Sequence, residues 1–97
     1  MLKSNQRAFL RAQANHLDPI LHVGKGGLSD TVIRQADDAL TAHELIKGRV
    51  LETAPDSARQ IAETLAPAVA AEVVFTIGRT FVLYRRNLKE PVIVLPR

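Results

Sequence analysis

Segments with the apolar spacing of helices alternate along this chain with segments that resemble strands, and this alternation limits the fold more than any other feature of the sequence. Helical spacing is expected from about residue 5 to 15, 29 to 43 and 55 to 69. Runs rich in β-forming residues lie at 20–23, 45–51, 73–77 and 80–86. The last two runs are separated by Gly78-Arg79, which predicts an antiparallel hairpin. The predicted fold is therefore α/β, in the order α-β-α-β-α-β-β, with helices packed on a four-stranded mixed sheet.

Serine and proline residues indicate where these elements begin and end. Ser4 is predicted to cap the first helix and Ser29 the second, because a serine hydroxyl accepts a hydrogen bond from a free N–H at a helix start. Pro55-Asp56 is expected to open the third helix, and Pro67 to end or bend it. The last residues, 91–97, are expected either to add an edge strand or to lie on the surface as an extended tail.

The length and composition favour one soluble domain, residues 1–97, in the cytoplasm. The chain has no cysteine, so neither a disulfide framework nor a cysteine-based zinc site is expected. The N-terminus has no apolar run of signal-peptide length, and no segment approaches the roughly 18 apolar residues of a membrane span. A membrane is therefore not expected as a partner.

Positive charge is concentrated in two segments of the sequence. The net charge is +3 overall, but residues 1–29 carry +3, residues 30–72 carry −4 and residues 73–89 carry +4. If the two positive segments meet in the folded chain, they form a surface that attracts an anionic partner such as RNA.

The loop Gly24-Lys25-Gly26-Gly27 lies between a predicted strand and a predicted helix. Glycines permit the close approach of another backbone, free N–H groups at a helix start attract phosphate, and Lys25 adds a positive charge. The KH class of RNA-binding modules holds nucleic-acid backbone on a Gly-x-x-Gly loop in this way. A short glycine pattern is also typical of a tight turn without any ligand, and Asp30, just after the loop, is unfavourable for phosphate unless it points away or caps the helix.

The arginines of the two positive segments are further candidate phosphate contacts. Arg7 and Arg11 are four residues apart and share one face of the first helix, whereas Arg79, Arg85 and Arg86 belong to the hairpin. Taken singly, each arginine is better explained as an ordinary solvated residue. Their separation from the acidic residues is what favours a joint role in RNA binding.

The sequence lacks the patterns of common enzyme sites. Its glycine loop has neither the Gly-x-x-x-x-Gly-Lys-Ser/Thr spacing of NTPases nor the Gly-x-Gly-x-x-Gly spacing of dinucleotide-binding proteins. His16, His22 and His43 lack the spacing of a metal site, and Ser29 and Ser57 lack a visible histidine partner for nucleophilic catalysis. We therefore expect no enzymatic activity, no cofactor and no small-molecule substrate.

Five segments of the chain, in this order, resemble the YhbY-like proteins, the stand-alone bacterial form of the CRM domain (chloroplast RNA splicing and ribosome maturation). They are Leu10-Arg11-Ala12, Leu17-x-Pro19, Val23-Gly24-Lys25-Gly26-Gly27-Leu28, His43-Glu44-Leu45-Ile46-Lys47 and Ile77-Gly78-Arg79-Thr80-Phe81-Val82-Leu83-Tyr84-Arg85. The last two strings are quite specific, and the resemblance runs nearly from end to end. The chain departs from the family at Ala70, where a glycine often follows the third helix, so the sequence defines the end of that helix less well.

This resemblance implies a compact domain similar to the C-terminal domain of bacterial translation initiation factor three. It also implies association with ribosomal RNA in precursors of the large ribosomal subunit, as an assembly and maturation factor, with ribosomal proteins as a further class of partner. In the family the Gly-x-x-Gly loop is the RNA contact, which here falls on residues 24–27, and Arg7 and Arg11 are expected to share the task.

Two other functions stay open at this point. The acidic middle segment, with Asp37 and Asp38, is suited to docking a basic ribosomal protein, in which case the chain is a protein-interaction module. The basic charge is also compatible with DNA binding, although the sequence contains no recognition-helix signature.

Overall fold

The computed structural model describes residues 2–97 and has the predicted order of elements. Three helices accompany one four-stranded mixed sheet, which confirms the predicted α/β fold. Within residues 2–97, no helix combines the length and the apolar character needed to cross a bilayer. The elements are α1 (Ser4–Ala14), β1 (Leu21–Val23), α2 (Asp30–His43), β2 (Leu45–Val50), α3 (Ala58–Ala68), β3 (Glu72–Ile77) and β4 (Thr80–Tyr84).

The strands lie in the order β1-β2-β4-β3 across the sheet. β1 and β2 are parallel, with Val23 opposite Val50, whereas β4 is antiparallel to both of its neighbours. β1 and β2 therefore end where β4 begins, at Thr80. We call this end of the sheet the loop end, because it carries the loop 24–27 and the hairpin turn 78–79, and we call the opposite end the far end.

Helices α2 and α3 pack on one face of the sheet and enclose the larger part of the core. Leu40 of α2 and Leu65 of α3 are fully buried there against strand residues such as Phe81. Gly48 in β2 lies directly beneath the Phe81 ring, and a Cβ at position 48 would overlap with that ring. The glycine therefore makes room for the largest buried side chain of the core.

Helix α1 and the C-terminal segment pack on the opposite face, which we call the α1 face. Leu10 and Ala14 of α1 are buried against Val82 and Tyr84, and Ile93 of the C-terminal segment packs against the same cluster. Since Tyr84 ends β4, this second core lies toward the far end of the sheet. The α1 face is open at the loop end.

The first helix begins one residue earlier than the sequence predicts. Ser4 is its first residue rather than its N-cap, and Lys3 takes the N-cap position. The backbone N–H of Lys3 donates to Gln6 Oε1 at 3.0 Å, which ties the helix start together without a serine cap.

The third helix begins later than Pro55-Asp56, so that prediction is wrong by about one turn. Ser57 caps α3: its hydroxyl accepts the N–H of Gln60 at 3.2 Å, and its own N–H donates to Gln60 Oε1 at 2.9 Å. This reciprocal pair satisfies two free donors at once, which fixes the helix start. Pro67 lies in the last turn, and the helix ends at Ala68.

The C-terminal segment is an extended tail and adds no strand to the sheet within residues 2–97. Its backbone is held by one buried side chain, the Glu44 carboxylate, which accepts hydrogen bonds from the N–H groups of Val92 and Ile93. The tail thereby covers Tyr84 and the far end of the α1 face.

Candidate nucleic-acid interface

The glycine loop is a closed turn with a charged tip. The N–H of Gly27 donates to the carbonyl of Gly24 at 2.9 Å, which leaves Lys25 and Gly26 as the two exposed central residues. Within residues 2–97, the backbone N–H groups of Lys25 and Gly26 donate to no protein acceptor. These N–H groups and the Lys25 ammonium are therefore available to an anion such as phosphate.

The three glycines of the loop serve different purposes. Gly27 is buried with a φ of +61°, and a Cβ there would approach Pro55 Cγ to 3.2 Å. A Cβ at position 24 would lie 3.4 Å from Leu51 Cδ1, so this end of the loop is closely packed. At Gly26 nothing lies within 4 Å of the Cβ position, so another molecule has room to approach the backbone there.

Helix α2 starts directly behind this loop. As predicted, Ser29 caps it, and the Ser29 hydroxyl accepts the N–H of Val32 at 3.3 Å. The positive end of the helix dipole therefore lies close to the loop and favours negative charge there. Asp30, in the first turn and exposed, satisfies part of this preference from within the chain.

Arg79 lies at the loop end, in the hairpin turn. Its carbonyl accepts the N–H of Val50 at 2.7 Å, and its guanidinium lies 3.8 Å from the Glu52 carboxylate. Both side chains are exposed, Arg79 by 53% and Glu52 by 86%, so the pair is solvated and weak. Arg79 is the one predicted hairpin arginine that lies at the same end of the sheet as the loop.

Two arginines of α1 contact β3. The guanidinium of Arg7 donates to the carbonyls of Val73 and Val74, the latter at 2.9 Å, and so fastens the helix to the strand. Arg11 is exposed, and its guanidinium lies 4.8 Å from the centre of the Phe75 ring. Arg7 thus has a structural role, whereas the edge of the Arg11 guanidinium remains accessible.

Arg85 and Arg86 lie at the far end of the sheet, beyond the end of β4. Arg85 donates to the Asp37 carboxylate at 2.6 Å, to the Thr41 hydroxyl at 2.8 Å and to the Val69 carbonyl at 2.8 Å. Its guanidinium therefore ties α2, the end of α3 and β4 together. The two positive segments of the sequence meet where α1 contacts β3. Their arginines do not form one surface, because Arg79 is separated from Arg85 and Arg86 by the length of β4.

The structure adds Arg49 and His22 to the loop end. The two residues are register partners on β2 and β1, and both are exposed. They line a cavity of about 350 Å³ together with Val50, Leu51, Glu52 and Arg79. Arg49 was not identified from the sequence because it lies in the segment 30–72, whose net charge is negative. A signal was present, however: Lys47 and Arg49 are two residues apart on a predicted strand, so both side chains point to the same face of the sheet.

Two features of the described residues bear on metal binding and on base stacking. Within residues 2–97, no three His, Asp or Glu side chains cluster as metal ligands. Tyr84 is only 4% exposed, which excludes its ring from stacking on a base. Burial raises the pKa of Tyr84, and the nearby charge of Glu44 raises it further, so the phenol stays neutral.

The family model of the CRS1 / YhbY (CRM) domain matches residues 2–85 of this chain. The match includes all seven helices and strands, the glycine loop and the hairpin turn. It ends just after β4, before the C-terminal tail.

Individual relatives match over almost the full length. The chain is 44% identical over 96 residues to the Probable RNA-binding protein YqeI of Bacillus subtilis, covering 99% of this chain and 100% of the relative. It is 36% identical over 96 residues to an RNA-binding protein of Haemophilus influenzae, covering 99% and 96%. Among solved structures, the hypothetical protein SAV1595 from Staphylococcus aureus is similar with a TM-score of 0.82 and 42% identity, covering 99% of this chain and 100% of that one. The names of the two sequence relatives describe RNA-binding proteins rather than enzymes.

Proposed function

The chain belongs to the CRS1 / YhbY (CRM) domain family, and we propose that it is an RNA-binding protein without enzymatic activity. Its target is ribosomal RNA in precursors of the large ribosomal subunit, and it acts in the cytoplasm as an assembly and maturation factor. The names of the relatives support RNA as the class of partner. The resemblance of the sequence motifs to YhbY-like proteins supports ribosomal precursors as the origin of the bound RNA.

The observation that carries this proposal is the geometry of the loop 24–27. Its tip has two unpaired N–H groups, open space above Gly26 and the charge of Lys25, all in front of the start of α2. A phosphate held there receives backbone hydrogen bonds and the field of the helix dipole. Arg79 at the same end supplies charge for the adjacent phosphate.

Phosphate contacts of this kind position a protein on RNA without reading its bases. We therefore expect the loop to bind single-stranded RNA with low sequence specificity. The choice of site on a ribosomal precursor then comes from the shape of the RNA or from neighbouring ribosomal proteins.

The test is RNA binding by the wild type and by the double variant Lys25→Glu, Gly26→Asp. Position 26 tolerates a side chain sterically, so the variant is expected to fold like the wild type by circular dichroism. Between about 50 and about 200 mM salt, the wild type should lose affinity with a log–log slope of about −0.7 per phosphate contact. The variant should bind at least about tenfold more weakly at the lower salt, because it replaces a phosphate-binding cation with two carboxylates.

A matched control carries the same change of net charge at the far end of the sheet. The double variant Leu88→Asp, Lys89→Glu alters two exposed residues beyond β4. We expect it to retain most of the RNA affinity. If both double variants lose affinity equally, net charge rather than the loop governs binding, and the role of the loop is wrong.

A last comparison separates RNA binding from protein docking. Asp37 and Asp38 on α2 are both exposed, but Asp37 is engaged by Arg85. If Asp38→Asn, but not the loop variant, abolishes co-sedimentation with large-subunit precursors, docking to a ribosomal protein replaces the RNA-binding proposal.

A further inference from the structure

One row of the sheet is uncovered on the α1 face at the loop end. Its members are His22, Arg49, Thr80 and Ile77, which are register partners across β1, β2, β4 and β3 in turn. Register partners project from the same face of a sheet. The next row, which includes Lys47, Val82 and Phe75, lies under α1 and its Arg11 side chain.

This row has an unusual composition for a surface that faces water. Ile77 is 59% exposed, and His22 and Arg49 are exposed as well. The imidazole and the guanidinium lie side by side, and the half-buried Thr80 separates them from the apolar side chain of Ile77. The Arg11 guanidinium is stacked on Phe75 at the border of the row. Planar cationic groups next to apolar side chains are what proteins present to unstacked RNA bases.

The row continues directly from the glycine loop. His22 is two residues before Gly24, and the cavity lined by His22, Arg49 and Arg79 lies at the same end of the sheet. The row spans three strand spacings, or about 14 Å, which is the length of about four stacked nucleotides.

We propose that this row, His22-Arg49-Thr80-Ile77, is a second RNA-binding surface that stacks the bases of the single strand leaving the glycine loop. The inference rests on the proposed function and extends it from phosphate capture at the loop to base contact on the sheet. Charge complementarity favours RNA as the occupant. Arg49 belongs to the row and Arg79 and Arg11 flank it, whereas among the described residues Glu52 is the one acid that lines the adjoining cavity. A base-paired duplex is a poorer fit, because its bases are not free to lie flat on the sheet.

The first experiment is an amide NMR titration with oligoadenylates of about four and about eight nucleotides. The shorter probe matches the length of backbone that a Gly-x-x-Gly loop holds, and the longer one can also reach across the sheet. With the longer probe, we expect shifts at the loop amides 24–27 and at the amides of His22, Arg49, Thr80 and Ile77. With the shorter probe, the loop shifts should dominate.

The pattern of shifts separates the two proposals. Shifts at the loop alone, with both probes, overturn the inference and leave the loop proposal intact. Shifts at the row alone support the inference and contradict the role of the loop. If neither the loop amides nor the row amides shift, the proposed function and this inference are both overturned, since the protein then binds the RNA at neither place.

A pair of variants tests the row by affinity. Arg49→Ala should weaken binding of the longer oligoadenylate by about fivefold to tenfold, the lower part of the range for loss of one stacked base. It should change binding of the shorter one less than about twofold. Arg34→Ala is the matched control, because Arg34 is an exposed arginine on α2, which packs on the opposite face. Equal effects of Arg49→Ala on both probes, or equal effects of the two variants, contradict base stacking on this row.

Discussion

The Glu44 carboxylate accepts the backbone N–H of Ile93 at 2.7 Å and so ties the C-terminal tail to the end of α2. The same side chain accepts the N–H of Val92 at 2.6 Å and that of Asn87 at 2.6 Å, and it is fully buried. Replacing it by glutamine puts an amide NH₂ group against at least one of these donors. We expect Glu44→Gln to lower the free energy of unfolding by about 1 to 3 kcal/mol, the usual cost of an unsatisfied buried group.

Urea unfolding checks this expectation, and hydrogen exchange at residues 92 and 93 locates the effect in the tail. A Glu63→Gln variant is the control, because Glu63 is an exposed carboxylate on α3. An unchanged unfolding midpoint for Glu44→Gln, with protected tail amides, contradicts the role assigned to the buried carboxylate.

The same residue predicts a pH dependence. Burial by itself raises the pKa of Glu44, but the N–H groups of Asn87, Ile93 and Val92 and the charge of Arg86 lower it, so that the pKa lies below the ordinary 4.5. Because the folded pKa is lower than the unfolded one, the ionised carboxylate stabilises the fold above about pH 4.5, and this stabilisation is lost as the pH falls through the folded pKa. Urea midpoints should therefore decrease more steeply below pH 4.5 for the wild type than for Glu44→Gln. Parallel pH curves for the two proteins would assign the acid sensitivity to other groups.

The end of α3 provides a stabilising substitution. Ala70 has a φ of +54°, and it follows the helix with the two backbone bonds of a Schellman motif, from Ala71 N–H to the Ala66 carbonyl at 2.8 Å and from Ala70 N–H to the Pro67 carbonyl at 3.3 Å. A glycine adopts this left-handed conformation without the strain that an alanine Cβ causes. We expect Ala70→Gly to raise the free energy of unfolding by about 0.5 to 1 kcal/mol, measured by urea unfolding. Destabilisation instead would mean that the freedom gained by the unfolded chain outweighs the strain that is removed.

The fold was largely predictable from the sequence because it depends on local patterns. Apolar periodicity identified all seven elements, and Gly78-Arg79 indicated the hairpin. The start of α3 was not identified, since the Ser57–Gln60 pair competes with the proline signal two residues earlier. Strand order did not follow from the sequence either, because pairing of β4 with β2 joins residues more than thirty positions apart.

Arg85 shows why a basic residue is a weak predictor of RNA contact. Its guanidinium bonds Asp37, Thr41 and the Val69 carbonyl, so removing it should lower stability rather than RNA affinity. We expect Arg85→Ala to cost about 1 to 2 kcal/mol of unfolding free energy, discounted for the partial exposure of the ion pair. The RNA affinity of the folded variant should stay within about twofold of the wild type, because the Arg85 guanidinium is mostly buried and already paired with Asp37 at the far end of the sheet. A large loss of RNA affinity without loss of stability would restore Arg85 as an RNA contact.

The candidate site was only partly predictable, because some of its residues become neighbours only through strand pairing. The loop 24–27 is contiguous in sequence, so its glycines and Lys25 were recognisable directly. Arg49 and His22 become neighbours only through the register of β1 on β2, and Arg79 joins them through the hairpin. The two basic segments meet where α1 packs on β3, but their arginines do not form one surface, because β4 places Arg79 and Arg85 at opposite ends of the sheet.

Glu52 is the residue whose removal should improve RNA binding. Its carboxylate lies 3.8 Å from the Arg79 guanidinium and lines the cavity that Arg49 and His22 share. A carboxylate at this place repels phosphate and competes for Arg79, so Glu52→Gln should raise RNA affinity by about twofold to threefold near 50 mM salt. The gain should vanish at about 1 M salt, where the screening length falls to about 3 Å. Glu63→Gln on α3 is the control, because it makes the same change of charge away from this cavity and should leave the RNA affinity unchanged. An equal gain of affinity in both variants would mean that total charge, and not the position of Glu52 beside Arg79, limits RNA binding.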